Sequence, residues 1–180
     1  MGAYKYIRKA WQKPNRKAQR ERYIQWRSEE RFMRLERPTR IDRARSLGYK
    51  AKGGFVVIRA RIGAGGRKRP KIKAGRKPSN TGQFFTTGRS LQAIVETRVA
   101  RRHPNMEVLN SYWVGADGKH KWYEVILVDP CHPQIEADTD INWICGQRGR
   151  AYRGLTSAGK KGRGLRRKGK GSEHTRKTKK

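Results

Sequence analysis

Apolar positions recur at near-helical spacing at the start of the chain. Tyr4, Ile7 and Trp11 are separated by Lys5, Arg8 and Lys9, a pattern that predicts an amphipathic helix over residues 3–12. Pro14 ends it, because the residue before a proline is pushed out of the α region. Residues 15–36 lack Pro and Gly and mix Arg, Glu and Gln with Tyr23, Ile24, Trp26, Phe32, Met33 and Leu35. They predict a second helix, with Glu30 and Arg34 supporting each other one turn apart. Arg37-Pro38-Thr39 stops it.

Residues 40–54 read as a turn-rich basic segment. From Phe55 to Ile62 the period changes to two, which predicts a strand. Val56, Ile58, Ala60 and Ile62 share one face; Phe55, Val57, Arg59 and Arg61 share the other, half apolar and half basic. Residues 63–83 are a long loop with five Gly, two Pro and seven Lys or Arg. Ser90 precedes Leu91, Ile94, Val95 and Val99, a helix running to about Arg102 and closed by His103-Pro104. Two strands follow, 106–114 and 120–128. Ala116-Asp117-Gly118-Lys119 joins them, and Asp-Gly is a strong hairpin signal. A short helical turn over 135–143 returns Ile141, Trp143 and Ile144 to the core. From Gly146 onward come eight Gly and fourteen cations with little to bury, so a tail that orders only on a partner is expected. The elements predict an α/β domain of α+β type: a small sheet with an antiparallel hairpin, packed with helices.

Charge changes this picture most. The chain has 46 Lys and Arg against 14 Asp and Glu, a net charge of +32 in 180 residues. Self-repulsion of that size opposes a compact fold unless a polyanion supplies counter-charge, so nucleic acid is the first partner to consider. The distribution is uneven: residues 1–50 carry net +11, 51–100 net +11, 101–145 net −3 and 146–180 net +13. Three regions are therefore expected: a basic helical arm over 1–52, a core over 53–145 with its basic loop at 63–83, and an extended Gly-rich tail over 146–180. Arg outnumbers Lys, 27 to 19, which favours bidentate phosphate contacts and stacking. Cys131 and Cys145 form no disulfide framework. The longest aliphatic run, Val125 to Val128, is too short to span a bilayer. An intracellular chain without a membrane partner is expected.

Candidate chemistry is sparse. Gly154-Leu155-Thr156-Ser157-Ala158-Gly159-Lys160-Lys161 has the Gly and Lys spacing of a phosphate-binding loop, but Lys161 stands where a Ser or Thr hydroxyl should hold Mg²⁺. Gly63 to Arg69 resembles a phosphate cradle without the helix that should follow. Cys131, His132, Cys145, His103 and His120 lack zinc-ligand spacing. Asp138 and Asp140 suit an exposed turn paired with the chain's own Arg residues better than a catalytic pair. The aromatics divide: Tyr112, Trp113, Trp122, Tyr123 and Trp143 belong to the core. Tyr4, Tyr6, Trp11, Tyr23, Trp26, Tyr49 and Tyr152 lie among cations, where they stack on bases or pack the N-terminal helices.

The candidate nucleic-acid contacts are the cations of the basic segments. Arg40, Arg43, Arg45, Lys50 and Lys52 come from the turn-rich segment, and Arg59 and Arg61 from the strand. Arg67, Lys68, Arg69, Lys71, Lys73, Arg76 and Lys77 come from the loop. Arg150, Arg153, Lys160, Lys161, Arg163, Arg166, Arg167 and Lys168 come from the tail. No cofactor, metal or small-molecule substrate is expected.

Asp42-Arg43-Ala44-Arg45-Ser46-Leu47-Gly48-Tyr49-Lys50-Ala51-Lys52 resembles the signature of large-subunit ribosomal protein fifteen of archaea and eukaryotes, a family distinct from the bacterial protein of that number. Met1 to Ile7, Gly65 to Pro70, Leu109 to Gly115, Glu124 to Pro130 and Arg153 to Gly159 resemble further segments of that family, in order, from residue 1 to about 165. Gly53 departs from the pattern, where Gln or Glu is more familiar. The resemblance implies a structural protein of the large subunit in the cytoplasmic ribosome, with RNA-embedded extensions. Its partners would be large-subunit ribosomal RNA and neighbouring ribosomal proteins, and it would have no enzymatic activity. Two other readings stand beside it: a chromatin-like DNA-compacting protein, and an RNA-modifying enzyme built on the 154–161 loop.

Overall fold

The computed structural model describes residues 2–66, 73–76 and 87–167. Four strands form one antiparallel sheet in the order β1-β2-β4-β3. They are β1 (Phe32–Leu35), β2 (Phe55–Gly63), β3 (Glu107–Ala116) and β4 (His120–Val128). The helices are α1 (Tyr4–Gln12), α2 (Arg16–Ser28), α3 (Ile41–Ser46), α4 (Leu91–Arg102), α5 (Pro133–Glu136) and α6 (Ser157–Gly162), with short 3-10 turns at Asn142–Ile144 and Leu165–Arg167. The expected α+β class holds, with the hairpin of β3 and β4 at one side of the sheet.

β4 decides the layering. Trp122, Ile126 and Val128 point to one face and Tyr123, Val125 and Leu127 to the other, and all six are buried. Such two-sided burial needs cover above and below the sheet. On one face Trp26 from α2, Ala44 from α3, Ile135 from α5, and Ile141 and Ile144 close over Tyr112, Trp122 and Ile126. On the other, Val95 and Val99 from α4, with Ala151, cover Ile58, Ala60, Tyr123, Val125 and Leu127. Each fully buried Val or Ile contributes about 1.5–3 kcal/mol relative to exposure. Ser90 starts α4 as its sequence suggests: its hydroxyl accepts from the Ala93 amide at 3.2 Å.

Four expectations are corrected. The helix predicted over 15–36 stops at Ser28, and residues 32–35 are the edge strand β1, with Phe32 opposite Ala60 and Leu35 opposite Val57. The open edge of β2 offers ladder hydrogen bonds that outweigh local helix propensity, and Glu30 and Arg34 no longer lie a turn apart. Within the turn-rich segment, residues 41–46 form α3, closed by the Tyr49 amide donating to the Ala44 carbonyl at 3.1 Å. Trp113 and Trp143 are 43% and 45% exposed rather than core. Strand alternation turns Trp113 away from the face that buries Tyr112, and Trp143 sits on the outside of a turn whose flanking Ile141 and Ile144 face inward.

The fourth correction concerns the segment after Gly146, which buries more than its composition suggests. Ala151, Thr156 and Ala158 are buried. The Glu107 carboxylate accepts from the Gly149 and Arg150 amides at 2.7 and 3.2 Å. Deeper, the Thr156 hydroxyl donates to Glu96 Oε2 and the Ser111 hydroxyl to Glu96 Oε1. Each hydroxyl also accepts: Thr156 from the Gly159 amide, Ser111 from Gln92 Nε2. Burial pushes the Glu96 carboxyl up, opposed by those two hydroxyls.

Candidate nucleic-acid interface

Among the described residues, most of the predicted cations are engaged within the chain itself. Lys50 Nζ donates to Asp138 at 2.7 Å and to Asp140 at 2.9 Å, and Lys52 Nζ donates to Asp138 and to the Gln134 carbonyl. The two aspartates therefore pair with lysines, not with Arg. Arg59 is 8% exposed, ion-paired with Glu29 and 4.4 Å above the Trp26 ring. Arg61 donates to the Arg27 carbonyl. Arg150 donates to the Val108 carbonyl at 3.1 Å and lies 4.6 Å over Trp143. Arg153 holds the Arg148 carbonyl and Gln147, Arg163 reaches the Arg153 carbonyl, and Arg166 the Ser157 hydroxyl.

Others face outward. Arg43, Lys73, Arg76 and Lys161 are exposed and make no ion pair with a described residue. Lys160 stands with Lys161 in the last turn of α6, and Arg167 ends the following 3-10 turn. Arg67, Lys68, Arg69, Lys71, Lys77 and Lys168 lie outside the described residues.

Sequence periodicity missed a ladder of guanidiniums and indoles that joins the N-terminal helices to the sheet. Arg40 lies 5.0 Å from the Trp11 ring on α1, and Arg22 of α2 lies 5.3 Å from the same ring. Arg22 is also 5.9 Å from Trp26, which carries Arg59. Arg45 similarly lies 5.4 Å over Tyr4. Tyr23 stacks on Trp122 with ring centroids 5.2 Å apart, over Gly115, where a Cβ would fall 2.5 Å from the Tyr23 ring. Interleaved Arg and aromatic residues were visible in the sequence; which ring meets which guanidinium depends on helix placement.

The lysine–aspartate cluster has a pH signature. Hydrogen bonds from Lys50 and then Lys52 hold the Asp138 carboxyl well below the usual carboxylate range. Its folded-state pKa is depressed, so the stabilisation is present at neutral pH and is lost as pH falls below about 4, the unfolded value. Bonds to Asp138 and then Asp140 raise the Lys50 ammonium, so its share disappears only as pH rises above the ordinary lysine value. Asp138→Asn is expected to melt lower than the parent chain at pH 7, with the difference shrinking toward pH 3. A difference that stays constant across thermal melts from pH 3 to 7 would show that the cluster contributes no linked stability.

The 154–161 segment is occupied structurally. No strand leads into it among the described residues, and the Thr156 hydroxyl is held between Glu96 and the Gly159 amide. Among the described residues no three His, Cys, Asp or Glu side chains gather as a metal site, and no helix is long and apolar enough to cross a membrane.

The family model described as "Ribosomal L15" matches residues 2–180. The "Large ribosomal subunit protein eL15" of Methanocella arvoryzae is 56% identical over 178 residues, covering 95% of this chain and 91% of the relative.

Proposed function

Because this chain belongs to the ribosomal protein L15e family, and so is a structural constituent of the large ribosomal subunit rather than an enzyme, we propose that it binds and stabilises folded large-subunit ribosomal RNA. The observation that carries this reading is the charge imbalance, +32 overall. With 46 Lys and Arg against 14 Asp and Glu, the chain's own carboxylates cannot neutralise its cations. Closely packed RNA helices supply the missing counter-charge. Arg43 on α3, Lys73 and Arg76 in the loop, and Lys161 at the end of α6 are candidates among the described residues, and the sequence adds Arg67, Lys68, Arg69 and Lys71, which lie outside them. The sheet and its two apolar layers act as a rigid mount for these groups, set among RNA and neighbouring ribosomal proteins in the cytoplasmic ribosome.

Replacing Arg67, Lys68 and Arg69 together by Ala is expected to weaken association with large-subunit ribosomal RNA. The slope of log K against log salt should become shallower by about 0.7–0.9 for each phosphate that is no longer neutralised. An unchanged slope counts against that loop as a phosphate-binding element. Duplex DNA competing on equal terms with the RNA in the same titration would move the DNA-compacting reading to first place.

A further inference from the structure

The arginines singled out by sequence lie in the turn-rich segment, β2, the long loop and the tail, yet another cluster appears where β1 meets the end of α4. Arg31 immediately precedes β1, and Arg98, Arg101 and Arg102 occupy i, i+3 and i+4 of α4, neighbouring positions on a helix surface. Together with Phe32 they line one concavity of about 340 Å³. Arg102 lies 5.7 Å over the Phe32 ring, which forms part of the wall. All four arginines are exposed, and none forms an ion pair with a described carboxylate. Burial lowers the pKa of His103, next to Arg102 in the chain, and the charges of Arg102 and Arg34 lower it further.

Placement at a helix C-terminus accounts for two of these residues, since Arg101 and Arg102 oppose the negative end of the α4 dipole. It does not account for Arg98 a turn earlier or for Arg31 on another element. Like charges at i, i+3 and i+4 repel, and Arg31 brings a fourth cation to the same open, shallow patch. The cluster is therefore unfavourable in the chain alone and becomes favourable when an anion enters. Planar guanidiniums suit bidentate contacts to phosphate oxygens.

We infer that the Arg31–Arg98–Arg101–Arg102 concavity is a binding site for backbone phosphates of the ribosomal RNA, a second anchor on the α4 side of the sheet. This rests on the RNA-binding reading above. RNA is favoured over an acidic protein segment because the chain belongs to a ribosomal protein family and its net charge of +32 calls for a dense polyanion, whose closely spaced phosphates suit four adjacent guanidiniums.

Arginine-specific modification with phenylglyoxal tests the site on the full wild-type chain, free and bound to large-subunit ribosomal RNA, with modified residues mapped by mass spectrometry. Arg98, Arg101 and Arg31 should react in the free chain and be protected in the complex. In parallel, Arg98→Gln/Arg101→Gln, which spares the Phe32 contact, should make the salt slope shallower by about 1–2. Equal modification free and bound, while Arg43 becomes protected, overturns this site and leaves the RNA reading intact. No protection at any arginine overturns the RNA reading itself. Protection seen only in the assembled subunit, and not with RNA alone, assigns the concavity to a protein neighbour and also overturns the proposal.

Discussion

Arg59→Ala is expected to cost the fold about 3 kcal/mol or more, the penalty typical of removing one partner from a buried ion pair. Arg59 sits in the middle of β2, opposite Met33 on β1 and Glu124 on β4. Its guanidinium pairs with Glu29 just past the end of α2 and covers the Trp26 indole. Alanine would leave Glu29 in a largely enclosed position without its cation. It would also remove a positive charge that favours ionisation of the buried Glu124, whose carboxyl is already pushed up by burial and is held by the Thr39 amide and the Tyr112 hydroxyl. Arg59→Lys should recover only part of the loss, since an ammonium offers no planar face to the indole. The salt dependence of RNA association should stay at the parental value. Urea unfolding beside an RNA salt titration checks both statements. A stability change below about 1 kcal/mol together with a shallower salt slope would show instead that Arg59 binds phosphate.

The second large effect is expected at Gly159. A Cβ there would lie 2.6–2.8 Å from the Cα, carbonyl carbon and carbonyl oxygen of Gly154, all backbone atoms that cannot rotate aside. Gly159→Val should lift α6 from the body. The Thr156 hydroxyl would then leave the Gly159 amide and Glu96 Oε2, and Ala158 would lose its cover. Overpacking of this kind costs about 1–3 kcal/mol, and an unsatisfied buried carboxylate oxygen adds a comparable amount. Hydrogen exchange should show the Gly159 and Lys160 amides losing protection, with the β2–β4 ladder retained. Thr156→Val, which removes the hydroxyl without crowding, should lose about 1–3 kcal/mol by the same measurement. If both variants keep parental protection over 157–162, the Glu96 network does not hold this segment. If the β2–β4 ladder is lost as well, α6 is part of the main cooperative unit.

Burial on both faces of β4 follows from an aliphatic run too continuous for a half-exposed strand. The Asp-Gly hairpin and the Ser90 helix start are local signals, and they hold because turn and cap chemistry act over three or four residues. β1 was not legible in this way. Phe32 to Leu35 carry a pattern compatible with a helix and become a strand because β2 presents an unpaired edge. The buried positions after Gly146 were hidden for the converse reason: Ala151, Thr156 and Ala158 are small, and small side chains give composition little weight even when they are buried.

The candidate site divides along the same line. Charge is additive and belongs to the composition, so the sequence by itself determined the excess of cations over carboxylates, and its ordered motifs determined the family. Which cations remain for that polyanion is a matter of distance between residues far apart in the chain. Lys50 and Lys52 meet Asp138 across more than eighty residues, Arg59 meets Glu29 across thirty, and Arg31 joins Arg98, Arg101 and Arg102 only because β1 lies beside α4. Coulomb interactions at short range select partners by position, and only the tertiary structure fixes position.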